Sequence, residues 1–123
     1  MANPNIVNVT SILGNSLSVA VGTSATQLAS NAASSGKVYK INSIVVANID
    51  GTSAADVTVN IYSAAALGGT PIAIVSTVSV PADASLIVTD KTTTFYLLEN
   101  QSIGAIASAA GDLVVTASWE EIT

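Results

Sequence analysis

The side chains here that could do chemistry are serines, threonines and a few carboxylates, and the groups that would activate them are scarce. A serine nucleophile needs a base, and the chain has no histidine and no cysteine, which leaves only an unusual Ser-Lys arrangement. The basic residues Lys37, Lys40 and Lys91 fall at strand edges or turns, where a solvated role is expected. Hydrolysis by paired carboxylates requires two acids converging in one cleft. Glu120 and Glu121 are adjacent in an extended segment and therefore point to opposite faces. Asp50 with Asp56, or Asp83 with Asp90, flank loops and could gather calcium with loop carbonyls, yet neither spacing matches an EF-hand loop. The usual zinc ligands are also missing. The expectation is a non-enzymatic protein with no catalytic residue, no cofactor and no metal.

Charge narrows the partners. Three lysines stand against 8 carboxylates, for a net charge of −5, so no cationic face exists to neutralise phosphates or to meet an anionic membrane. Nucleic acid and membrane are therefore not expected as partners. Charged residues make up 9% of the chain, and their place is taken by 20 Ala, 16 Ser and 13 Thr. A small domain relies on interspersed charge to stay apart from its neighbours. A surface this neutral points instead to burial against other protein chains. The first 36 residues carry no charge at all, but Asn, Ser and Thr interrupt every apolar run, so neither a signal peptide nor a spanning helix is expected.

The elements that would position these residues are short strands separated by turns. At 123 residues one domain is expected, residues 1–123. Strand patterns cover 17–21, 23–28, 37–48, 55–63, 71–80, 85–90, 94–98, 102–107 and 112–122, bounded by Gly, Pro, Asn or Asp. The run from Val38 to Asn48 is too continuously β-branched for an exposed strand and is expected to be covered on both sides for part of its length. It is expected to form an antiparallel hairpin with 55–63 across the loop that Asp50-Gly51 opens. Alternation slips near Ile74-Val75, where a bulge is expected. Eight or nine strands at this spacing predict an all-β fold, an antiparallel β-sandwich of jelly-roll or immunoglobulin-like type.

Two aromatic residues and one segment are the candidate contacts. Trp119 shares a strand face with Leu113, Val115 and Ala117, so it either closes one end of the core or anchors a subunit interface. Tyr62 lies opposite the apolar face of its strand with Thr58 and Asn60, a solvent-side position suited to a cross-strand pair or a subunit contact. Residues 1–12 contain Ile6, Val7, Val9 and Ile12 in loose alternation and read as an arm, either an edge strand or a tether. Thr92-Thr93-Thr94 is explained by turn chemistry rather than by a binding array.

The run Phe95-Tyr96-Leu97-Leu98-Glu99, then Ser102-Ile103, Ala107-Ser108-Ala109-Ala110 and Leu113 through Ile122, carries a resemblance. Tyr39-Lys40-Ile41, Ser43 through Asn48, Asp56 through Val59, Ile61-Tyr62, Val80-Pro81-Ala82 and Ser85-Leu86 fit the same pattern. Together, over roughly 37–122, the text resembles small β-rich virion structural proteins of tailed bacteriophages, especially those infecting cyanobacteria and other marine bacteria. It departs from them at Asn100-Gln101, often an acidic or Gly-Asp turn there, and at Trp119, often Tyr. The resemblance implies a virion component without saying where on the particle it sits; with the single-domain length and the charge-poor Ala/Ser/Thr surface, the expectation is a protein made in the host cytoplasm and located on the capsid surface. Its expected role is a decoration (cement) protein binding the major capsid protein and copies of itself, as a homotrimer. A tail, baseplate or fibre component is the alternative.

Overall fold

A computed structural model describes residues 4–123. It contains nine strands: β1 (Ile12–Val21), β2 (Thr26–Asn31), β3 (Val38–Asn48), β4 (Ala55–Ala64), β5 (Gly68–Val80), β6 (Ser85–Thr89), β7 (Phe95–Leu97), β8 (Gln101–Ala107) and β9 (Leu113–Ile122). One sheet has the order β1-β9-β3-β6, with short β7 also paired to β3; the other has the order β2-β8-β4-β5, and every pairing is antiparallel. With β7 set aside as a branch, the strands interleave between two four-stranded sheets in the order of a jelly roll. An immunoglobulin-like sandwich would place consecutive first and second strands side by side, whereas here β1 and β2 lie in different sheets.

The core follows from alternation. In the first sheet Val21, Ile41, Ile44, Val46, Leu113 and Val115 point inward; in the second Val57, Val59, Ile103, Ala105 and Ala107 face them, all buried. These are β-branched or small residues, which fill the space of about 10 Å between packed sheets without long side chains. Two buried asparagines tie the sheets together at opposite ends. Asn31 Nδ2 donates to the carbonyls of Lys37 (2.9 Å) and Leu97 (3.2 Å), and its Oδ1 accepts from Ser35. Asn48 Nδ2 donates to the carbonyls of Ser53 and Val80, both at 2.9 Å, and its Oδ1 accepts from the Asp50 amide. Each amide supplies the hydrogen bonds that a chain crossing between sheets would otherwise leave unmade.

That crossing corrects one expectation. Residues 37–48 and 55–63 are not a hairpin: β3 pairs with β9, β6 and β7, while β4 pairs with β5 and β8 in the opposite sheet. Two apolar faces separated by a short loop satisfy each other equally well side by side or face to face, and Asn48 turns the chain toward the second arrangement. The hairpin within a sheet is instead β4–β5. Its edge strand carries the expected irregularity, since Val59 opposes Val75 and Asn60 opposes Ala73, leaving Ile74 unpaired; a second shift lies between Val57 and Val59. The first strand is longer than its alternation suggested and begins at Ile12, because β9 offers a ladder along its whole length, from Ile12↔Ile122 to Val21↔Leu113.

Candidate assembly surface

The outward side of the β1-β9-β3-β6 sheet can be read row by row from the registers. Ile12, Ile122 and Val38 lie across β1, β9 and β3, with Leu98 just beyond the end of β7. The next row is Gly14, Glu120, Lys40 and Tyr96. Beyond it come Ser16, Ser118 and Ser43, then Ser18, Thr116, Val45 and Ile87, then Ala20, Val114, Ala47 and Ser85. The face therefore has one apolar end, a single charged row, and a broad uncharged area of small side chains. Ile87 stands out of that area at 62% exposure. Low charge and small side chains let another chain approach without desolvating ions.

The apolar end is where the arm lies. Thr123 and Ser11 exchange backbone hydrogen bonds, at 2.9 and 3.4 Å, and the Thr10 amide donates to the Thr123 carbonyl at 2.7 Å, so the first and last strands extend their ladder past Ile12. The chain then reverses in a turn closed by the Asn8 amide on the Asn5 carbonyl, while Asn5 Oδ1 accepts from the Val7 amide. The turn sets Pro4 and Ile6 beside Val38, Tyr96 and Leu98, where these five residues line an apolar groove of about 190 Å³. Val38 is only 3% exposed although it points outward. Of the expected arm contacts, Ile6 lines the groove, Val7 stands free at 85% exposure, Val9 is half-buried, and Ile12 is the exposed first residue of β1. Residues 1–3 of the expected arm lie outside the described residues.

Tyr62 requires a correction. It occupies the outward side of its sheet, as alternation requires, paired with Ser102 of β8, but it is 7% exposed and so is not a solvent-facing contact. The β4–β5 turn covers this region. The amides of Ala65, Ala66 and Leu67 donate to Asn100 Oδ1, Ser30 Oγ and Ser102 Oγ, pinning the turn down over β8 and β2. Ala66 and Leu67 hold positive φ angles of 55° and 61° to make this tight reversal. Gly104 is the floor beneath: a Cβ there would stand 2.7 Å from Leu67 Cδ2 and 3.1 Å from Tyr62 Cε1. Sequence alternation gives the side of Tyr62 correctly, but carries no sign that the chain folds back over it.

Trp119 closes one end of the core, half-buried, its ring stacked on Tyr39 with centroids 6.4 Å apart and planes 19° from parallel. Beside this pair Glu121 ties β1 to the residue preceding β3: Oε1 accepts from Lys37 Nζ at 3.1 Å and Oε2 from Asn15 Nδ2 at 2.6 Å. The carboxylate holds the Lys37 ammonium above its ordinary range, while burial, helped by the same negative charge, raises the Tyr39 phenol. Lys37 is thus engaged rather than simply solvated. Glu120, on the other face, accepts from Asn42 Nδ2 at 3.0 Å.

The loop carboxylates Asp50 and Asp90 are each engaged by a threonine two residues on. Asp50 Oδ1 accepts from the amide and hydroxyl of Thr52, and Asp90 Oδ1 accepts from the amide and hydroxyl of Thr92; these bonds hold both carboxyls below the usual range. Among the described residues no three acidic side chains are grouped to hold a metal ion. Nor is any helix among them long and apolar enough to cross a membrane. The acids are unevenly spread, however. Asp50, Asp56, Asp83 and Asp112 lie at the end of the sandwich where β3 finishes and β9 begins, and all three lysines lie elsewhere.

No protein-family model matches the chain, and no curated protein matches it. Its fold is similar to that of a solved Bacillus endospore appendage, from a family of disulfide-linked pili, with a TM-score of 0.54 and 18% identity over 100% of this chain and 96% of that one. At that identity the likeness is one of fold. The disulfide linkage of those pili has no counterpart within this chain, which lacks cysteine.

Proposed function

We propose that this protein is a non-enzymatic structural subunit of a repetitive protein assembly, whose partners are copies of itself and the surface it coats. The observation that carries this reading is the outward side of the β1-β9-β3-β6 sheet, uncharged apart from Glu120 and Lys40 and apolar at the end bearing the arm. A subunit that binds only an assembled lattice stabilises that lattice by its binding free energy at every site. The non-catalytic reading rests on composition, since neither histidine nor cysteine is available to activate a nucleophile. Nucleic acid and membrane are not proposed as partners of a chain with net charge −5.

In its finer form the proposal is a homotrimeric decoration (cement) protein on the capsid surface of a tailed bacteriophage, contacting the major capsid protein, with a tail, baseplate or fibre part as the alternative. The phage-like text over roughly 37–122 supports it. A second reading, the subunit of a filamentous appendage, is favoured by the fold shared with the endospore pilus. Negative-stain microscopy and light scattering of the purified protein separate the two. Small closed oligomers that coat added capsids support decoration, whereas filaments growing from the protein alone support the appendage. A chain that stays monomeric up to millimolar concentration and coats nothing refutes both.

A further inference from the structure

We propose that the groove lined by Pro4, Ile6, Val38, Tyr96 and Leu98 is a self-association site that receives Val7 from a neighbouring copy of the chain. This deepens the assembly reading above and rests on it. Among the described residues the groove is apolar, about 190 Å³, and lined on the arm's side by Pro4 and Ile6. Tyr96 and Leu98 remain among its exposed large side chains. An apolar groove of this size can receive one aliphatic side chain.

The occupant is indicated by the arm itself. Ile6 and Val7 are the central residues of the turn closed from Asn8 to Asn5, so one of them lies in the groove while the other projects at 85% exposure. An apolar knob next to an apolar hole on one end of a molecule is the arrangement that pairs copies, each supplying what the other receives. Charge favours the same end. The arm and β1 carry no charged side chain, and the nearby Lys37, Lys40, Glu99, Glu120 and Glu121 nearly balance, whereas the opposite end presents Asp50, Asp56, Asp83 and Asp112. Copies meeting through the aspartate end would repel one another, and copies meeting through the arm would not.

The lack of cysteine makes the test direct, because any introduced pair reports alone. A tagged Val7→Cys chain is mixed with an untagged Leu98→Cys chain and mildly oxidised, and the products are separated on a non-reducing gel. Mixed dimers exceeding both like dimers several-fold are expected; a statistical mixture overturns the proposal. In parallel, Val7→Asp and Ile87→Asp are compared with the unaltered chain by sedimentation across a concentration series at low and high salt. Both positions are exposed, and far-UV circular dichroism checks that both variants are folded before association is compared. Val7→Asp is expected to weaken association by about ten- to a hundredfold, the range set by burying one valine side chain. Salt is expected to change wild-type association little. Association lost in Ile87→Asp but retained in Val7→Asp overturns this site while leaving the assembly reading intact, and a wild-type chain that does not associate overturns both.

Discussion

Substituting Gly104 by alanine tests the account of the covered β4–β5 turn most sharply. Gly104 sits mid-strand in β8, opposite Gln27 of β2 and Asn60 of β4, with ordinary extended backbone, so the substitution probes space rather than backbone strain. The new Cβ would stand 2.7 Å from Leu67 Cδ2, 3.1 Å from Tyr62 Cε1 and 3.3 Å from the Thr26 carbonyl oxygen. Leu67 can rotate away, but the Tyr62 ring is buried and the carbonyl belongs to a paired strand. Overpacking of this kind costs about 1–3 kcal/mol, and replacing a strand glycine returns about 0.5–1 kcal/mol of backbone entropy. The expected net destabilisation is about 1–2 kcal/mol, a fall in Tm of about 4–8 °C for a domain of this size. Leu67→Ala opens the space the methyl needs, so the double variant should be more stable than the two single effects predict, by about 1 kcal/mol. Thermal and urea unfolding of the four proteins measure the cycle. A Gly104→Ala chain as stable as wild type, or a cycle with no coupling, would refute the packing of the turn over β8.

Other substitutions address the remaining supports. Asn48→Ala removes three hydrogen bonds from the crossing between sheets and strands buried carbonyls, so a loss of about 2–4 kcal/mol is expected in urea unfolding. Ala66→Gly relieves a φ of 55° that alanine tolerates poorly and should raise stability by up to about 1 kcal/mol, read as a higher urea midpoint. Asp50 and Asp90 have folded-state pKa values depressed by their threonine bonds, so their contribution is present above the ordinary carboxyl range and lost as pH falls through the depressed values. Unfolding midpoints should therefore drop on acidification, and less so in Thr52→Ala with Thr92→Ala. Lys37 runs the other way: its raised pKa gives a contribution complete below the ordinary lysine value and lost as pH rises past it, which Glu121→Gln should abolish in the alkaline limb.

Much of the fold is written in the one-dimensional pattern because strand alternation and turn chemistry are local. The boundaries of β3, β4, β8 and β9, the slip near Ile74, the opposite faces of Glu120 and Glu121, and the outward side of Tyr62 all follow from a period of two and from where Gly, Pro, Asn and Asp fall. Local pattern says nothing about which apolar face meets which. That is why β3 and β4 read as neighbours in one sheet and prove to face each other across the core. The same blindness leaves Tyr62 apparently exposed, since its cover is a turn held by serines of β2 and β8 and by Asn100 of the turn before β8.

Residue types and their alternation need no partner to be read, and they specify an all-β chain that is poor in charge, net acidic and without histidine or cysteine. The jelly-roll order, the seat of the arm and the groove beneath it come from tertiary contacts. The groove draws Pro4 and Ile6 from the arm, Val38 from β3, and Tyr96 and Leu98 from the region of β7. Residues so far apart in the chain become one surface through the register of β1, β9, β3 and β7. Hydrogen bonding between strands distant in sequence sets that register, and no local pattern encodes it.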